Sequence, residues 1–140
     1  MRGRTAEHTL LLLQAKDFET VDLADYKVIV DAVFGFSFSG AVRAPFDTVL
    51  PRLAVTTTPV LSIDIPSGWS VDGGERADGA VEPSVLVSLT APKLCAKQLP
   101  AGVAHYLGGR FVPPAIRDKF GLVLPPFEGC SQVVRLSAPS

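Results

Sequence analysis

Three stretches of this chain are nearly unbroken runs of β-branched and aliphatic residues, and each stops on a turn signal. Residues 27–34 (KVIVDAVF) end at Gly35, residues 59–65 (PVLSIDI) at Pro66, Ser67 and Gly68, and residues 85–90 (VLVSLT) at Ala91, Pro92 and Lys93. Runs that are continuous rather than alternating belong to strands covered on both faces, which is the signature of a parallel sheet. Parallel neighbours need a crossover between them. After the first run, PFDTVLPRLAV reads as a helix entered at Pro45. A fourth run, residues 105–112 (HYLGGRFV), reads as a strand with a Gly-Gly bulge. The order strand, helix, strand, loop, strand predicts an α/β fold with a mainly parallel sheet. In such sheets a ligand lies outside the carboxyl ends of the strands, near a switch in strand order.

The rest of the chain supports one domain over residues 1–140. Residues 5–16 (TAEHTLLLLQAK) read as a short helix capped by Thr5, residues 70–80 as a polar glycine-rich loop, and residues 113–140 as a short helix with a proline-rich tail. Net charge is −1, which leaves no basic field for nucleic acid or an anionic membrane. No apolar run approaches the roughly 20 residues of a membrane helix. Cys95 and Cys130, with only His8 and His105 beside them, match no metal spacing, and a reduced intracellular compartment is expected. No signal or transit peptide pattern is read at the N-terminus.

Chemistry-bearing residues gather where the strands end. Asp31 lies inside an apolar strand, so it is either a structural acceptor of loop N–H groups or an oxygen ligand for a hard cation. Asp64, before the Pro66–Gly68 turn, is either a turn cap or an acid/base group in a partly dry cleft. The loop GFSFSG, residues 35–40, can bring N–H groups to a phosphate, although it fits neither the dinucleotide nor the P-loop pattern. Arg43 is a phosphate partner or a solvated charge. Lys93 enters the same cleft or snorkels to water, and Trp69 and Phe36 stack on a base or pack in the core. Ser67 lacks a nucleophile elbow, Cys95 has no base partner, and His105 is given no catalytic role.

Five motifs in order, VIVDAVFGFSFSG, VRAPF, SIDIPSGW, LVSLTAPK and HYLGGRFVPP, span about Asp25 to Leu136. Together they closely resemble the C-terminal half of the YjeF N-terminal-like domain of NAD(P)H-hydrate epimerases, whose animal branch is also called apolipoprotein A-I-binding protein. The resemblance implies a Rossmann-like three-layer sandwich, truncated at its N-terminus. It implies isomerase activity that interconverts R and S forms of hydrated NADH and NADPH, a potassium cofactor, homodimers, and a partner ATP/ADP-dependent NAD(P)H-hydrate dehydratase. A cytoplasmic or mitochondrial location goes with it. Carried over residue by residue, Asp31 and Ser67 become potassium ligands. Gly35, Phe36, Ser37, Phe38, Ser39, Gly40 and Ala41 become the loop that binds the hydrate. Asp64 becomes the acid/base that touches substrate.

Two departures accompany the resemblance. The family's N-N-G-G-D-G loop, which supplies a further potassium ligand and phosphate contacts, does not occur in this chain. Ser39 stands where animal members usually carry Lys, and Ala41 where they carry an acid. These differences motivate an alternative, a catalytically inactive module that binds protein partners through a half sheet.

Overall fold

A computed structural model describes residues 17–38, 40–109 and 111–136. The apolar runs become β1 (Ile29–Asp31), β2 (Val60–Ile63), β3 (Val85–Leu89) and β4 (Ala104–Gly108). They lie side by side in chain order and all run parallel. A fifth strand, β5 (Val133–Arg135), pairs antiparallel with β4. This is the mainly parallel α/β sheet that the apolar runs predict, of the Rossmann-like kind that the resemblance implies.

Each strand is shorter than its apolar run. β2 stops before Asp64, and Thr90 lies outside β3; both residues adopt positive φ, 70° and 67°. A side chain in that region crowds its own backbone, so an extended strand cannot pass through it. β4 ends at Gly108, the first of the Gly-Gly pair: Gly109 has φ 91°, and residues 111 and 112 are not strand. β5 falls in a stretch read as tail, where VVR is too short to announce itself. β1 is not buried on both faces, since Val28 and Val30 are 51 % and 52 % exposed. Among the described residues it has a neighbour on one side only. The described strands lie in chain order, without a switch.

Two apolar clusters frame the sheet. Helix α1 (Phe46–Ala54) inserts Val49, Leu50 and Leu53 beside Val60, Val81, Phe18 and Leu23. A smaller cluster joins Ile65, Trp69 and Cys95 beneath the 70–80 loop. Helix α2 (Pro114–Phe120) buries none of its residues and ends at Gly121, a left-handed C-cap with φ 59°. The helix expected at residues 5–16 lies outside the described residues.

Candidate functional site

Parallel strands bring the carboxyl ends of β1, β2 and β3 to one edge, and register decides which side chains meet there. Asp31 pairs with Ser62 across β1 and β2. The Asp31 carboxylate is 1 % exposed and takes four donors. Its Oδ2 accepts the Ser62 hydroxyl at 2.8 Å and the Ser67 N–H at 2.9 Å. Its Oδ1 accepts the Ser67 hydroxyl at 2.6 Å and the Val33 N–H at 3.4 Å. A buried carboxylate is tolerable only when its oxygens are met in this way. Asp31 thereby ties its own strand to the turn that follows β2.

That turn is shaped by Pro66 and Gly68. The Trp69 N–H donates to the Pro66 carbonyl at 3.0 Å, and Gly68, third of the four residues, has φ 89°, as a type II turn requires. A Cβ on Gly68 would stand 2.8 Å from Ala80 Cα, so no other residue fits. The turn directs Ser67 back at Asp31 and places its hydroxyl to accept the Phe34 N–H at 3.3 Å.

Asp64 has different surroundings. Its N–H continues the β2–β3 ladder by donating to the Val87 carbonyl at 2.7 Å, but its φ of 70° then lifts the side chain out of the sheet. Oδ1 accepts the Leu89 N–H at 3.2 Å and forms an ion pair with Lys93 Nζ. Among the described residues Oδ2 accepts only the Phe36 N–H, at 3.2 Å. The two paired side chains are 16 % (Lys93) and 13 % (Asp64) exposed, so the pair sits in a mostly water-excluded niche. Asp64 and Thr90 are the two non-glycine residues of positive φ among those described, and they end adjacent strands beside this pair. Strain of about 1–3 kcal/mol each persists only where surrounding structure holds it, and such residues gather at functional sites.

The glycine loop closes over the carboxylate. Phe38 N–H donates to the Gly35 carbonyl at 3.0 Å, and a Cβ on Gly35 would lie 3.6 Å from Asp64 Oδ2. Phe38 stacks on Phe34 with ring centroids 3.9 Å apart, while Phe36 is 65 % exposed. Phe38 and Gly40 separate two clefts. One, about 360 Å³, is lined by Phe34, Ala41, Arg43 and Phe46. The other, about 460 Å³, is lined by Trp69, Asp72, Glu75 and Arg76. Ser37 lies exposed at the tip, and Ser39 lies outside the described residues.

Among the sequence candidates, Asp31, Asp64, Ser67 and the loop from Gly35 converge on this edge. Lys93 joins them, which the sequence left open between cleft and solvent. Its signal was the turn after β3, which returns the chain toward the strand ends. Trp69 is core: it donates from Nε1 to the Val81 carbonyl at 2.8 Å and carries the Arg76 guanidinium 3.6 Å above its ring. Cys95 is buried, and burial first, then the Asp64 charge, pushes its thiol above 9.0. His105 lies away from the cleft, with Nε2 2.9 Å from the Ser88 hydroxyl, and burial lowers it below 6.5. No group of three or more His, Cys, Asp or Glu side chains is placed to hold a metal among the described residues.

The same assembly of strands is found in known proteins. Residues 3–95 match the family model described as YjeF-related protein N-terminus. An Arabidopsis thaliana protein named pyridoxine/pyridoxamine 5'-phosphate oxidase 1, chloroplastic, is 52 % identical over 82 % of this chain and 23 % of its own length. The NAD(P)H-hydrate epimerase of Aedes aegypti is 46 % identical over 88 % of this chain and 53 % of its own. A yeast protein of known crystal structure, ynu0, superposes with a TM-score of 0.73 at 40 % identity, over 79 % of this chain and 46 % of that one. The chain thus spans about half or less of the length of the relatives it matches. With two thirds of its residues inside the family model, the chain belongs to the YjeF-related protein N-terminus family.

Proposed function

We propose that this chain carries the strand-end site of an NAD(P)H-hydrate epimerase, and that Asp64 is its acid/base. The observation that carries the reading is the placement of Asp64: an ion-paired carboxylate at a strained strand end, with Oδ2 opening onto the glycine loop. Identity to a relative of that name supports it. The substrate class is the hydrate of NADH or NADPH, whose altered ring carbon bears both the ring nitrogen and a hydroxyl. A carboxylate there takes the hydroxyl proton while the carbon–nitrogen bond breaks. The ring opens, the electron pair of that bond stays on nitrogen, delocalised into the conjugated C=C–C=O unit still attached to it, and a carbonyl forms on the released carbon. Rotation presents the other face, nitrogen re-adds, and the carboxylate returns the proton to oxygen. Positioned proton transfer of this kind contributes roughly 10²–10⁴ in rate.

A potassium ion would be held by Asp31 and Ser67, which supply a charged and a neutral oxygen side by side. Such donors suit a hard cation. Their longest hydrogen bonds, to the N–H groups of Val33 at 3.4 Å and Phe34 at 3.3 Å, are the ones it would replace most readily. A bound cation supplies fixed positive charge at the strand ends. A dehydratase that consumes one epimer is the natural functional partner, and a homodimer the expected assembly.

The direct test is epimerisation of R/S NADPH-hydrate by the folded chain, read through coupled dehydration. Turnover that disappears in Asp64→Asn is the expected result; unchanged turnover in that variant removes Asp64 from the chemistry. A second reading, a non-catalytic module binding protein partners, is motivated by the exposed Val30 on β1 and Val28 just before it. Micromolar hydrate binding in calorimetry counts against it.

A further inference from the structure

Lys93 is not where a surface lysine is expected to be. Its side chain lies largely inside the niche, 16 % exposed, and its Nζ donates back to the Leu89 carbonyl at 2.8 Å while pairing with Asp64 Oδ1. Nζ also lies 5.9 Å from the centroid of the Phe36 ring, so one cation touches the end of β3, the end of β2 and the glycine loop. On Asp64 the consequence is asymmetric. Oδ1 carries the ion pair and the Leu89 N–H; Oδ2 carries one N–H, at 3.2 Å.

We infer that Lys93 is the positioning residue of the site: by committing Oδ1 of Asp64 it turns Oδ2 toward the glycine loop as the oxygen that meets substrate. The inference rests on the epimerase reading for its catalytic consequence, but not for its geometry. A carboxylate on a single Cβ–Cγ bond rotates freely unless one oxygen is anchored, and a charge-assisted bond is the strongest anchor available to it. The Leu89 and Phe36 N–H groups alone are neutral donors at 3.2 Å and leave rotation permitted. Reactivity depends steeply on such orientation, since a displacement of about 1 Å can cost roughly 10²-fold in rate. The residue that fixes the carboxylate therefore acts on turnover without touching substrate.

The test compares Lys93→Met, which keeps stem volume and loses charge, with Lys93→Arg, which keeps the charge. In the epimerisation assay Lys93→Met is expected to lower kcat by about 10²-fold with KM changed less than about 3-fold, and Lys93→Arg to recover most of the loss. Full activity in Lys93→Met overturns the inference. So does a loss confined to KM, which would make Lys93 a substrate-binding group. An independent readout needs no turnover: the amide resonances of Leu89 and Phe36, the two N–H groups on Asp64, are expected to shift in Lys93→Met and return toward wild type in Lys93→Arg. Unmoved resonances in Lys93→Met overturn the inference whether or not the chain turns over. Inactive wild-type protein with shifted resonances instead retires the epimerase reading and leaves the positioning role standing.

Discussion

Asp31 and Asp64 stand at the ends of neighbouring strands, and their partners make them different groups. Asp31 is enclosed: two hydroxyls and two N–H groups meet its oxygens, the Val33 N–H most weakly at 3.4 Å, and it is 1 % exposed. Its replacement by Ala would strand the Ser62 and Ser67 hydroxyls and the Ser67 N–H together. Each unsatisfied buried group costs about 1–3 kcal/mol, so Asp31→Ala is expected to lose at least about 3 kcal/mol in urea unfolding. A loss under 1 kcal/mol would mean that Asp31 does not hold the turn. Asp64 is open on one side, and Asn tolerates its positive φ, so Asp64→Asn is expected to keep the fold while turnover is lost. Circular dichroism beside the epimerisation assay separates the two effects. Both aspartates were legible in the sequence as charged residues in apolar runs, but how far each would be enclosed was not. That depended on partners as far as 36 residues away for Asp31 and 29 for Asp64.

At the scale of elements, the strand cores followed from β-branched content and their ends did not. β-branched runs continue in sequence through Asp64 and Thr90, but the backbone turns left-handed at both, and the ladder stops. The turn after β2 is the element on which the site depends most. Gly68→Ala would combine an unfavourable φ of 89° with a 2.8 Å approach to the Ala80 backbone. Its expected cost is about 2 kcal/mol or more, seen as a lower midpoint in chemical denaturation with an unchanged slope. A variant as stable as wild type would show that the turn relaxes without penalty. Helix α2 is the opposite case, since none of its residues is buried. Stability is local, and an element held by few apolar contacts opens at low cost. Amides of residues 115–120 are expected to exchange within seconds at neutral pH, while those of Leu86 and Ser88 in β3, both fully buried, persist for hours or longer. Equal protection of α2 and β3 would mean that the helix is packed.

For the molecule as a whole, His105 supplies a pH dependence of known sign. Burial holds it neutral in the folded chain, below the 6.5 at which the unfolded chain takes its proton. Between those two values the unfolded state binds more protons, so stability rises with pH there and falls as pH drops through 6.5. Its effect is absent above neutral pH, where both states are neutral. Thermal midpoints at pH 7.5 and 5.5 are expected to differ more in wild type than in His105→Gln, which keeps a partner for Ser88 and does not titrate. Identical differences would mean that His105 stays solvated. The α/β class, the parallel sheet, the crossover helix and the family were determined by the sequence alone. Continuous β-branched runs and glycine or proline stops are local properties, and local backbone preference is enough to express them. What only the tertiary structure decided was the chemistry of the strand ends. The β2–β3 register, Ile63 beside Val87, delivers Asp64 to Leu89 and so to Lys93. The β1–β2 register, Asp31 beside Ser62, closes the other carboxylate. Register is a relation between distant segments, and it is absent from any one of them.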